Sequence, residues 1–476
     1  MTRRSFRIRP AIGILAVVVC GSPAGLSGQT SPEPILDYGP HGVGFTVMET
    51  LDSTRAFRPL RDFLGELATE TARPVQVSLW YPADVPAQAP RMRAGEFRLL
   101  TESEIDYDPA RNSLDAGVIR SRFIAQAVGF GQDPAAAARL WDAATPAVRD
   151  ASPIPGRHPT VLYLTSAGVS NPLLPAYLAS HGFVVASFPS NGRMTGGTLE
   201  FTPNALTLDT DIDDAGFVLA LLRRLPYADT RRLAVASFSA ASLASLLWVM
   251  RDMQVGAIVA VEGWERYRRG ADIISASVHY EPHRVRVPFL MIERTADETS
   301  PQYAKVPDVV GALPYADITR VAFRDAAHVD FLSHVTFGHT PHHHEIYEAS
   351  LAMIRRFLQS SIGENDVAPQ VAVPDDNDPI FTVERHLPVG PVPTEEELFR
   401  LAETDPTAAE AAYRDARRIV PGATLFRRHV LTRAARFAAT AEDSAAIMRI
   451  VDDAYPDSST AARSSPGSAD TNPDVK

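Results

Sequence analysis

From Pro159 onward two kinds of apolar segment alternate along the chain. Short continuous runs at 161–164, 183–188, 233–236, 257–261 and 288–292 predict strands covered on both faces. Between them, at 173–180, 209–224 and 240–251, and again at 346–358, the apolar residues recur at helical spacing. Strand and helix in alternation predict an α/β fold built on a mostly parallel sheet with helices on both faces. Upstream, Val43-Gly44-Phe45-Thr46-Val47 and the period-two run from Val75 to Tyr81 predict two further strands. Residues 91–150 are alanine-rich and amphipathic, and predict a helical insertion or cap between two strand-rich regions.

The remaining boundaries follow from punctuation. Residues 361–393 carry six prolines and the run Asp375-Asp376-Asn377-Asp378, which predicts a linker. Residues 394–456 are helical again, with Leu398, Leu401, Tyr413, Leu431, Phe437, Ile447 and Ile450 as packing positions. A Ser-, Asp- and Pro-rich tail at 457–476 predicts disorder. At the other end Arg3, Arg4, Arg7 and Arg9 precede a short apolar run, and small residues follow it up to Gly28. This is the layout of a cleaved signal peptide at 1–28, and Thr2-Arg3-Arg4-Ser5-Phe6 resembles a twin-arginine export signal. A periplasmic or secreted product is expected, with residues 29–360 as its main domain.

Composition narrows the classes. The net charge of −11 disfavours a nucleic-acid partner, and removing four arginines with no acids before Gly28 makes it more negative still. The only cysteine is Cys20, so neither a disulfide within the chain nor a cysteine-based zinc site is possible. No later run is apolar enough to span a membrane. His339, His342, His343 and His344 read as a surface or helix-start run, and Asp209, Asp211, Asp213 and Asp214 as helix-start acids; no metal or cofactor is expected.

Candidate chemistry sits at strand ends. Ser239, in Val235-Ala236-Ser237-Phe238-Ser239-Ala240-Ala241-Ser242, occupies the turn from a strand into a helix. This is the place of a nucleophile elbow, where G-x-S-x-G is usual; Ser237 and Ala241 supply the small residues that let strand and helix approach. The Ala240 N–H is the first expected oxyanion donor, and the second falls within residues 165–168, with Ala167 as its best candidate. His328, on a loop before the final helix, is the candidate base. Two strand ends offer an acid, Glu262 and Asp297, and residue order alone leaves the choice open.

Residues 159–168, the block Leu178-Ala179-Ser180-His181-Gly182, the elbow, and Ala326-Ala327-His328-Val329-Asp330-Phe331 together resemble the platelet-activating-factor acetylhydrolase and dienelactone-hydrolase-like branch of the α/β-hydrolases. The opening Gly39-Pro40-His41-Gly42-Val43-Gly44 and Ser78-Leu79-Trp80-Tyr81-Pro82 resemble the N-terminal part of exported bacterial members. The likeness covers about 38–358 with a gap at 91–150, and departs from the family where Thr165-Ser166 replaces the usual His-Gly and where both elbow glycines are missing. It implies a serine hydrolase cleaving a short acyl ester, without cofactor or metal, and with Glu262 as the acid because Val261-Glu262-Gly263-Trp264 matches the family's Asp-Ala-Trp context. Residues 446–458 are similar to the end of a tetratricopeptide-type unit and suggest a protein partner. Two rival readings stand beside the esterase: a non-catalytic relative that binds a partner through 394–455, and a peptidase on the same triad.

Overall fold

The computed structural model describes residues 36–57, 71–105, 115–129, 133–165, 169, 171–189, 205–252, 254–295, 309–332, 341–363, 379–388, 395–419 and 428–455. The expected signal peptide, Cys20, Ala167, Asp297, His339 and the tail lie outside the described residues.

The strands are β1 (Gly42–Phe57), β2 (Thr71–Asp84), β3 (Ala147–Arg149), β4 (Ser152–Pro153), β5 (His158–Thr165), β6 (Val184–Pro189), β7 (Ala228–Phe238), β8 (Ala257–Val261), β9 (Phe289–Arg294), β10 (Ile318–Phe323) and β11 (Phe381–His386). They form one sheet in the order β11-β10-β9-β8-β7-β5-β6-β2-β1-β3, with β4 on β2. From β6 through β10 every neighbour is parallel. β2 runs antiparallel to both β1 and β6, and β11 antiparallel to β10. Such parallel neighbours need crossovers, and the helices provide them.

The insertion contributes α1 (Ala94–Ile105), α2 (Ala116–Gly129) and α3 (Pro134–Asp142); the main domain adds α4 (Leu173–Ser180), α5 (Ala205–Leu222), α6 (Ala241–Arg251), α7 (Arg268–Ser275) and α8 (Pro341–Ile362). Side-chain alternation along the strands feeds two cores. Leu162 and Leu164 of β5 pack with Ile212 and Leu219 of α5 and Leu247 of α6, whereas Val161 and Tyr163 face Tyr177 of α4 and Ile354 and Phe357 of α8. A strand buried on both sides has no polar face to show, and this is why β5, β6 and β8 read as unbroken apolar runs. This is the α/β-hydrolase fold, with a helical insertion and a small C-terminal helical segment.

Three elements differ from expectation. β10 carries Thr319 and Arg320 among its apolar residues and was not visible as a strand. β11 lies inside the expected linker; it reads as polar because, as an edge strand paired on one side only, it leaves most of its residues exposed. β3, at the end of the insertion, returns to the sheet as a parallel partner of β1. The four aspartates sit inside α5 rather than at its start. Asp214 takes Arg73 and Arg55, and Asp213 takes Arg251.

The chain divides into two compact units, Met1–Leu387 and Pro388–Lys476. Among its described residues the second unit holds α9 (Glu395–Thr404), α10 (Pro406–Ile419), α11 (Arg428–Arg436) and α12 (Ala441–Ala454). Leu398, Tyr413, Leu431, Ile447 and Ile450 form its core. Phe437, expected there, is instead 75% exposed, because it falls just beyond α11, where the helical face no longer governs its direction.

Candidate active site

The parallel strands end on one edge of the sheet, and helices of successive crossovers begin there. β7 ends at Phe238, Ser239 and Ala240 turn, and α6 starts at Ala241. Ser239 has φ +58°, a left-handed conformation that a residue with a Cβ enters at roughly 1–3 kcal/mol of strain. Its backbone N–H donates to Val261 O across the neighbouring strand end (2.9 Å), which helps hold the turn. Ser237 and Ala241, the small residues in the elbow's glycine positions, are both buried. Ser239 and Ala240 themselves are partly exposed, and α6 directs its N-terminal end at them.

β8 ends in a second turn of the same kind. Glu262 has φ +52° and is fully buried, and its N–H donates to Ile292 O of β9 (2.7 Å). The Glu265 carboxylate folds back against the backbone of Gly263. Glu262 Oε2 lies 2.8 Å from His328 Nδ1. Its Oε1 accepts the Arg294 N–H (2.7 Å) and an Arg266 N–H (3.2 Å). Burial alone would push this carboxyl up. The hydrogen bond and charge of His328, the Arg266 guanidinium and the Arg294 N–H outweigh it and hold Glu262 below the usual carboxylate range.

His328 opens a short 3-10 turn after β10, its side chain 22% exposed. Asp330 pins that turn by accepting the Ala327 N–H (2.6 Å). The His328 ring packs on Phe238, the residue before Ser239, with centroids 4.9 Å apart. Among the described residues no hydrogen bond joins Ser239 Oγ to the imidazole. Of the residues singled out in the sequence, the structure thus brings Glu262 and His328 into contact and sets both beside the Ser239 turn. The histidine run begins α8, where His343 Nε2 lies 3.5 Å from Asp330 Oδ2.

Several neighbours escaped the sequence reading. Ser242, the second residue of α6, donates to Glu265 and accepts the Trp264 N–H (2.9 Å), so the start of α6 is tied to the loop after β8. Arg266 and Glu293 are buried beneath Glu262. From the insertion, Glu104 accepts the Val169 N–H (2.8 Å) just past the 165–168 stretch, and burial pushes its carboxyl up to about 8. The signal available for the first group was charge density: Glu262, Glu265, Arg266, Glu293 and Arg294 crowd two strand ends that are otherwise apolar.

No family model matches the chain, and no curated protein matches it. Among solved structures, a ferulic acid esterase from Streptomyces cinnamoneus aligns with 75% of this chain and 99% of its own, at 16% identity and a TM-score of 0.47.

Proposed function

We propose that the chain is a serine hydrolase that cleaves carboxylic esters, with Ser239 as nucleophile, His328 as base and Glu262 as the acid of the triad. The observation that carries this reading is the left-handed, non-glycine turn at Ser239, placed one residue from the ring that packs on an imidazole anchored by a buried carboxylate. Strain of this kind persists only where surrounding structure over-determines it, and a serine exposed on a tight strand-to-helix turn is what acyl transfer requires.

The steps follow from the placement. His328 Nε2 takes the Ser239 Oγ proton as Oγ bonds the ester carbonyl carbon, while Glu262 holds the Nδ1–H tautomer and stabilises the imidazolium. The Ala240 N–H, at the start of α6, faces the oxygen that becomes negative; Ala167 is the proposed second donor. His328 then protonates the departing alcohol as the tetrahedral carbon collapses to an acyl-serine. Water, deprotonated by His328, attacks that acyl group and returns Ser239 with release of the acid. The serine–imidazole contact in such sites commonly tightens only when substrate is in place. The fully buried Glu262 and the partly exposed His328 and Ser239 fit these roles, the acid shielded from water and the reacting groups within reach of substrate.

A fluorophosphonate probe followed by peptide mapping tests the assignment. Modification of Ser239 is expected, and Ser239→Ala is expected to lose both the label and at least ~10³-fold in kcat on p-nitrophenyl butyrate. Undiminished turnover by Ser239→Ala excludes the nucleophile; labelling at another serine relocates it.

A further inference from the structure

Beneath the Glu262–His328 pair lies a cluster of charges that the reaction steps above do not use. Arg266, its side chain 2% exposed, lies 3.2 Å from Glu262 Oε1 and 3.3 Å from Glu293 Oε2 through the same Nη1 atom. Its other terminal nitrogen donates to Arg294 O (3.0 Å), which spans the turn after β8 and the end of β9. Arg320 of β10 completes the pairing on Glu293 (2.8 Å) from a half-exposed position. Glu262 and Glu293 thus share Arg266, with Arg320 on Glu293 and the Arg294 guanidinium 3.5 Å from Glu262.

We infer that Arg266 is a positioning residue for the proposed reaction: its guanidinium, shared between Glu262 and Glu293, orients the carboxylate that grips His328 and offsets part of that carboxylate's charge. This rests on the proposed triad. The argument is one of satisfaction and charge. A fully buried carboxylate with one oxygen on an imidazole needs donors on the other, and Arg266 is the buried cation among them. The Arg294 side chain, 28% exposed, approaches only the imidazole-bound oxygen, at 3.5 Å, and what Arg294 gives the other oxygen is a backbone N–H. Replacing Arg266 by a neutral side chain leaves the cluster one charge more negative, and replacing Glu293 leaves it one charge more positive. A more negative surround favours the protonated pair and a more positive one disfavours it, so the two substitutions must act in opposite directions.

Other charges around the pair are common to both variants. Glu265 precedes Arg266 on the short 3-10 turn Trp264–Arg266, and burial pushes its carboxyl up. Arg294 of β9 lies 3.5 Å from Glu262, and Arg320 of β10 lies 2.8 Å from Glu293. Asp330, on the turn of His328, senses Glu262, and His343 of α8 sits beyond it.

The test uses the full chain and two readouts. One is the acid-side midpoint of kcat/KM on p-nitrophenyl butyrate; the other is the titration of the His328 imidazole by NMR on ¹³C-histidine-labelled protein, assigned with His328→Gln. Arg266→Gln is expected to move both midpoints up by about one pH unit, and Glu293→Gln to move them down by about half a unit. Arg266→Lys, which keeps the charge, should stay near the wild-type midpoint. A role confined to folding would lower Tm and leave the midpoints in place; that result, or shifts of the same sign in the Gln variants, overturns the inference. Should Arg266→Gln fail to fold, the downward shift in Glu293→Gln decides, and its absence is equally fatal. If the wild-type chain hydrolyses no ester, the proposed function fails, while the NMR titrations still decide what Arg266 does to the pair.

Discussion

At the ends of β7 and β8 two residues with full side chains, Ser239 and Glu262, stand in the left-handed region, with four charged groups buried to within a few per cent beneath or beside them. In the helices α9–α12 the apolar residues fall where helical spacing puts them, Thr440 caps α12 through the Asp443 N–H (3.1 Å), and ion pairs such as Glu410 with Arg449 keep one partner in water. Both regions are well packed. The difference is that the described core residues of the helical unit sit in ordinary helical conformations, whereas the sheet edge holds conformations and charges that cost free energy where they stand. Such conflicts persist where something selects them, and the reaction proposed for this edge would be one such cause.

The contrast can be broken by substitution, beginning where the effect is largest. Glu262→Gln keeps the size of the side chain but presents an amide to His328 Nδ1 and favours the wrong tautomer. It is expected to cost ~10³–10⁴-fold in kcat, measured on p-nitrophenyl butyrate with little change in KM. A small loss moves the role of acid to Asp297. In the helical unit, Ile447→Ala opens a cavity at a fully buried position and is expected to cost about 2–5 kcal/mol in the unfolding of that unit, followed by circular dichroism, with ester turnover changed by less than about two-fold. A larger loss of turnover would mean that the unit contributes to the reaction. The smallest effect is the sharpest test of strain. Ser239→Gly suits φ +58° and should raise the denaturant stability of the main domain by roughly 1 kcal/mol while removing activity. Unchanged or lower stability would mean that the elbow's packing relieves the turn already.

Much of this was legible in advance because it depends on short-range order. Continuous burial on both faces writes β5, β6 and β8 as apolar runs, and helical recurrence writes α4, α5, α6 and α8, with ends within a few residues of those expected. The position of Ser239 between β7 and α6 was readable for the same reason. Elements at the margins were not: β10 mixes polar residues into its pairing, and β11 and β3 are too short or too exposed to carry a hydrophobic signature. The Arg266–Glu293 pair was hidden because a charged residue beside a strand normally indicates solvent, and nothing local distinguishes a buried cation from an exposed one.

The linear chain therefore determined the class of fold, the place of the strand-to-helix turn at Ser239 and the loop that carries His328, since each is a pattern among residues a few positions apart. It left the acid open between Glu262 and Asp297. What joins Glu262 to His328 across 66 positions is the parallel order β7-β8-β9-β10, which stacks those strand ends on one edge. Only that tertiary arrangement could turn a glutamate into a buried, left-handed, arginine-backed partner of an imidazole, because burial and charge pairing are properties of the three-dimensional neighbourhood and no stretch of sequence contains them.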